Sequence, residues 1–250
     1  MAPRALLALL SGLLIACNPA RAEDGLPRPN ATVELDSLAP GVWIHTSYYT
    51  YPNGSRFSSN GLVVRDGDGL TLIDTAWGER STSALLDRIE RDIKLPVRQA
   101  FVTHAHGDRI SGADVLRDRG IPVRAHPRTM ALALEVGLPP PSDSLPGLEK
   151  AGSFVSVGTV EIFYPGPGHS PENLMVWVPA ENVLFGGCAV RPADATTLGN
   201  TAHADRQAWS HAIDRAGKRY GAPRIVVPGH GAVGGPELLP HTLTLLRHRP

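Results

Sequence analysis

Between Val33 and Asp74, short β-rich runs alternate with the turn signals Pro52-Asn53-Gly54 and Asp66-Gly67-Asp68-Gly69, the pattern of antiparallel hairpins. From Glu79 to Lys94 the apolar Leu86, Ile89 and Ile93 fall at helical spacing, and Val97 to Val102 then reads as a buried strand. Gly112 to Arg119 predicts a short helix, Ile121 to Ala125 a strand, and Arg128 to Val136 a helix that stops before Pro139-Pro140-Pro141. Strands are expected near Phe154–Val157, Thr159–Tyr164, Leu174–Val178 and Val183–Phe185. A helix from Ala204 to Tyr220, a strand at Arg224–Val227 and a last helix from about Pro236 follow. Hairpins first, then strand–helix units, argue for two sheets packed together with helices outside. No internal repeat and no long linker divides the chain.

The leader MAPRALLALLSGLLIACNPARA changes the picture at the N-terminus: Arg4 precedes an apolar stretch from Ala5 to Ala16, too short for a stable bilayer span. It reads as an export signal over residues 1–22, cut after Ala20-Arg21-Ala22, with one domain over 23–250. Leu14-Ile15-Ala16-Cys17 also fits a lipoprotein signal, in which case Cys17 carries lipid and anchors the protein to the outer membrane. Either way the expected location is the periplasm. With 250 residues, 42% of them hydrophobic, the chain can bury a sizeable core. Its 24 basic and 24 acidic side chains cancel without any run of like charge, so nucleic acid is not an expected partner. No protein partner is implied either, and a monomer is expected. Cys17 and Cys188 are the only cysteines, so Cys188 has no partner for an internal disulfide. An unpaired thiol in an oxidising compartment asks for a reason: metal coordination is one, a buried inert thiol the other.

Just after the strand ending at Val102 stands Thr103-His104-Ala105-His106-Gly107-Asp108-Arg109. In an extended turn, residues i and i+2 project to one side, so His104 and His106 can grip one ion while Asp108 reaches past it. Three more ligand types follow predicted strands beside glycine: Gly166-Pro167-Gly168-His169, Gly186-Gly187-Cys188 and Pro228-Gly229-His230-Gly231. A His, Asp and Cys set suits zinc far better than calcium or magnesium.

These loops, with Asp74-Thr75-Ala76-Trp77 after an early strand, resemble those of the metallo-β-lactamases, and the resemblance runs from about Val33 through the last helix. Cys188 places it nearest the class B, subclass 1 enzymes, and Gly187-Cys188-Ala189-Val190 looks most like the Verona integron-encoded type. The resemblance implies an α+β fold, a four-layer αββα sandwich, with two zinc ions at one edge. By motif match His104, His106 and His169 would hold one zinc, and Asp108, Cys188 and His230 the other. It implies hydrolysis of the β-lactam amide of penicillins, cephalosporins and carbapenems by a metal-bound hydroxide that Asp108 orients, giving antibiotic resistance.

Asn200, twelve positions after Cys188, would donate to the developing oxyanion, although a Gly199-Asn200 turn explains the same dipeptide. Arg191 stands where many relatives carry lysine and would clamp the substrate carboxylate, with a solvated surface charge as the plainer reading. Trp77 would contact substrate, as would one or two of the rings Tyr48, Tyr49, Tyr51 and Phe57 on the flap-like hairpin Thr46–Gly61. Thr103, Arg109, Asp74 and Ser170 are expected to orient ligands, and His45, His126, His203, His211, His241 and His248 to be surface or packing residues. Two rivals remain. A glyoxalase-II-like thioesterase of the same fold would place a histidine at Arg109 and an aspartate at Cys188; a non-catalytic periplasmic zinc-binding protein would close each site with four protein ligands.

Overall fold

A computed structural model describes residues 32–247. The expected export signal, Cys17 and His248 lie outside the described residues.

The chain opens with the hairpin strands β1 (Glu34–Ala39), β2 (Val42–Thr50), β3 (Arg56–Asp66) and β4 (Gly69–Ile73), then α1 (Glu79–Asp92) and β5 (Val97–Val102). Two short helices, α2 (Gly107–Ile110) and α3 (Ala113–Asp118), lead to β6 (Val123–Ala125), α4 (Thr129–Glu135) and β7 (Asp143–Ser144). The second half runs β8 (Ser153–Val157), β9 (Val160–Tyr164), β10 (Met175–Val178), β11 (Val183–Gly187), α5 (Arg206–Tyr220), β12 (Ile225–Pro228) and α6 (Leu238–Arg247). β1 to β7 form a seven-stranded sheet in sequence order, and the order β12-β11-β10-β9-β8 forms a five-stranded one.

Three apolar layers hold the sheets and helices together. Leu62, Ile73 and Phe101 of the first sheet meet Ile162, Val176 and Phe185 of the second between the sheets. Leu72, Val102 and Val123 face Leu85, Ile89 and Leu116 of α1 and α3 on one outside. Phe163 and Leu184 face Trp209 and Ile213 of α5 and Leu239 of α6 on the other. The arrangement is the four-layer αββα sandwich expected from the resemblance. β4 and β11 are buried at every position because both their faces are covered, which is why they read as continuous apolar runs. Each large side chain buried there contributes roughly 1.5–3 kcal/mol.

Two local features depart from the sequence reading. Gly107 to Ile110 coils into α2, with the extended His106 (φ −116°, ψ 155°) as its N-cap, so alternation ends at His106 and Asp108 sits in a helical turn. The two-residue β7 pairs with β6 beyond the proline break and carries no periodicity that a sequence could show.

Strand direction gathers the ligand loops. β10 is antiparallel to both β9 and β11, and β12 is parallel to β11, so β9, β11 and β12 all end at the same edge of the second sheet. The loop after β5 in the first sheet reaches that edge as well: Leu174 N, in the segment entering β10, donates to Thr103 O at 2.8 Å.

Candidate metal centre

His104 and His106 follow β5, His169 follows β9, Cys188 follows β11 and His230 follows β12. His106 Nδ1 lies 3.1 Å from His104 Nε2 and 3.2 Å from His169 Nε2. Beside them His230 Nε2 is 3.2 Å from Asp108 Oδ2, and Cys188 Sγ is 3.3 Å from His230 Nε2 and 3.4 Å from Asp108 Oδ2. All six side chains named from the motifs thus converge in two adjoining arms. His104 with His169 and Cys188, and His104 with His106 and Asp108, are also close enough to share an ion.

The donor chemistry fits a metal. Burial and the neighbouring imidazoles push His104 well below the ordinary histidine range and His169 down to about 3, and burial lowers His106 as well. Three neutral rings therefore turn lone pairs toward one point, an arrangement that a cation satisfies. In the other arm, burial alone would raise Asp108, but Arg109 and His230 hold it well below the usual carboxylate range. Burial opposes charge on His230, yet Cys188 and Asp108 outweigh it and push its pKa up to about 10. The acidic neighbours that favour positive charge on His230 would equally favour a cation held between these three donors. A sulfur ligand in that arm favours zinc.

Glycine makes the closeness possible. A Cβ on Gly229 would lie 2.6 Å from Cys188 N, 2.7 Å from its Sγ and 2.8 Å from an Arg109 nitrogen, so only hydrogen fits between these two strand ends. Gly187, at φ +53°, turns the chain so that Cys188 leaves β11 toward the site.

A buried scaffold orients the arms. Arg109 is wholly buried and donates to Asp108 Oδ2 (2.8 Å), Asn60 O (2.5 Å), Gly229 O (2.6 Å) and Asp74 Oδ2 (3.3 Å). Asp74, left-handed at φ +60°, accepts from Thr103 N (2.7 Å) and Thr103 Oγ1 (2.9 Å), and Thr103 Oγ1 lies 3.3 Å from His104 Nδ1. Burial raises the Asp74 pKa to about 6 despite Arg109. Ser170 is buried too, its N–H donating to Asn173 Oδ1, so it shapes the His169 loop through backbone.

Five supports escape a sequence reading. Asn60 on β3 straps the His230 loop, its amide donating to Pro228 O and Gly231 O, and Ser58 O is 2.5 Å from His230 Nδ1. Glu172 accepts from Ala105 N, fixing the residue between the two histidines. Trp209 donates to Ala189 O and packs edge-on against His169. His203 is exposed, as expected of a surface residue, and brings Nδ1 to 2.9 Å from His106 Nε2. Ser58 and Asn60, polar residues inside β3, leave a sequence signal, and the others leave none.

The other expected residues lie around the rim. Trp77 stacks on Tyr49 (5.0 Å, 22°), Tyr49 meets Tyr51 edge-on, and Tyr51 meets Phe57, while Trp77 also tilts toward His230 at 6.2 Å. Tyr48 points to the opposite face and bonds Glu34 under Arg56, in ordinary cross-strand packing. The Arg191 guanidinium lies against Gly199, a Cβ on which would stand 3.2 Å from it, and burial lowers its pKa. Asn200 is exposed, with Oδ1 accepting from Ala202 N at 3.0 Å. His45 and His126 are buried, His211 is exposed, and His241 lies 3.0 Å from Ala195 O.

Fold and site together define a metalloprotein with its centre at the lip of a β-sandwich. The family model of the metallo-beta-lactamase superfamily matches residues 54–230. A type 2 metallo-beta-lactamase of Bacillus cereus is 40% identical over 218 residues, 86% of this chain and 83% of that protein. One from Bacteroides fragilis is 33% identical over 84% of each. Among solved structures, a metallo-β-lactamase from Hirschia baltica superposes with a TM-score of 0.84 at 36% identity, covering 87% of this chain and 99% of that one. A mono-zinc form of a Pseudomonas aeruginosa metallo-β-lactamase gives 0.82 at 36% identity, with 86% and 94% covered. The chain belongs to the metallo-β-lactamase superfamily and has its fold.

Proposed function

We propose that the protein hydrolyses the β-lactam amide with two zinc ions, one held by His104, His106 and His169 and the other by Asp108, Cys188 and His230. The observation that carries this reading is the pair of adjoining three-donor arms, three imidazoles beside a carboxylate, a sulfur and an imidazole. Bound there, zinc supplies Lewis acidity and lowers the pKa of water from about 16 towards about 7, giving a nucleophile at neutral pH.

The chain's own groups do the rest. Asp108 accepts a hydrogen bond from the attacking water and fixes its direction. Asn200 already uses its side-chain oxygen in a turn, so its NH2 end is the one offered to the oxyanion that develops on the lactam carbonyl. Arg191 receives the substrate carboxylate with a fork rather than lysine's point charge, and Trp77 with Tyr49 and Tyr51 covers the apolar body.

Cys188 and Arg109 support reading the chain as a subclass 1, Verona-like enzyme rather than a thioesterase. Three donors per arm leave positions open, unlike a closed storage site. In this reading the mature domain, residues 23–250, is a periplasmic monomer that confers resistance to penicillins, cephalosporins and carbapenems. It is freed by cleavage after Ala22 or anchored through lipid on Cys17, and mass spectrometry of the mature N-terminus separates the two.

The purified protein is expected to open all three classes of β-lactam, to lose turnover on chelation and to regain it with zinc. Turnover that survives complete metal removal, or thioester cleavage without β-lactam cleavage, overturns the assignment.

A further inference from the structure

The outer face of His106 is held differently from those of its two companions. A neutral imidazole has one N–H and one lone pair. His106 turns Nδ1 inward toward His104 and His169, so in the metal-holding state its proton sits on Nε2 and donates to His203 Nδ1, 2.9 Å away. His203 must then carry its own proton on Nε2. The outer nitrogen of His104 rests on Thr103, the adjacent residue, and that of His169 is buried without a partner among the described residues.

Packing clamps His104 and His169, which are 1% and 6% exposed, whereas His106 is half-buried and has less to hold its ring. The segment bearing His203 is itself pinned. Ala202 N donates to Asn200 Oδ1, Ala204 N to Thr201 O (3.1 Å) and Asp205 N to Gly168 O (2.9 Å), beside His169. Two loops of the three-histidine arm are thereby tied through one short turn.

We propose that His203 is a positioning residue that fixes the tautomer and ring orientation of His106, and so the metal affinity of the three-histidine arm. The proposal rests on the metal reading above. It also gives the Asn200 turn a second role, presenting His203.

The test titrates metal-free wild type, His203→Leu and His203→Asn with Co2+ against a chromophoric chelator, and records visible spectra. Thiolate-to-metal absorption marks occupancy of the Cys188 arm, so the two arms are read separately. Asparagine puts an acceptor oxygen on the same carbon that bears Nδ1 in histidine. His203→Leu is expected to weaken the three-histidine arm about 10–100-fold, the usual cost of losing a partner behind a ligand, while His203→Asn stays within about threefold of wild type. Equal affinity and spectra in wild type and His203→Leu overturn the proposal, as does an equal loss in both variants. A wild type that takes up no Co2+ overturns the metal reading itself.

Discussion

At the residue scale, side chains that are individually costly to bury are made tolerable by one another. Arg109 has no exposed surface, and it lies between two carboxylates and two backbone carbonyls that use four of its donor contacts. Such a group is needed because Asp74 and Asp108 would otherwise face each other as like charges in a dry interior. The tightest constraint falls on a residue with no side chain. Gly229→Ala forces a methyl group to within 2.6–2.8 Å of Cys188 and Arg109, so the β11 and β12 ends must separate. The expected result is a loss of about 1–3 kcal/mol in urea unfolding of the metal-free protein, the usual cost of overpacking. Weaker metal retention at the Cys188 arm should accompany it. Unchanged stability and metal content would show that the loops relax freely.

At the scale of elements, the β2–β3 hairpin and the turn after β4 form one continuous aromatic surface from Phe57 through Tyr51 and Tyr49 to Trp77. Trp77 anchors it at the metal end, its backbone N–H donating to Ser47 of the hairpin. Trp77→Ala removes the inner ring of the stack, a contribution of about 0.5–1.5 kcal/mol beyond area burial. If the surface receives the apolar body of a β-lactam, KM rises roughly 2–10-fold, the same energy at RT of about 0.6 kcal/mol, with little change in kcat. Steady-state kinetics on a penicillin with a bulky apolar side chain tests this; a fall in kcat at constant KM would move Trp77 into the chemistry instead.

For the whole molecule, the first sheet carries a buried pH-sensitive group beside the scaffold of the metal arms, near enough to feel Arg109 and the Asp74 backbone. His45 lies across from Gly61 in the β2–β3 ladder, with Nε2 3.3 Å from Ile73 O, and burial lowers its pKa to about 4. The unfolded chain takes up that proton near pH 6.5, so the stabilisation from a neutral His45 is complete above pH 6.5 and is lost as pH falls towards 4. The loss is on the order of 3 kcal/mol. Comparing urea unfolding of metal-free wild type and His45→Asn from pH 7 to pH 4 should show the wild type falling more steeply. Parallel curves would mean that His45 already titrates normally in the fold.

The pattern of apolar positions determined the two-sheet, helix-flanked architecture, and glycine-flanked ligand types pointed to the six side chains that converge in the two arms, because buried strands and metal-type donors each leave a local signature. Tertiary structure alone decided what stands behind those ligands. Asn60, Glu172, Trp209 and His203 lie far along the chain from the side chains they support or belong to unremarkable turns and helices, and their hydrogen bonds exist only once both sheets share an edge. It also decided that Asp108 reaches the site from the first turn of α2 rather than from an extended loop. Local sequence can specify which atoms are able to bind a metal; their orientation depends on contacts between segments that only the fold brings together.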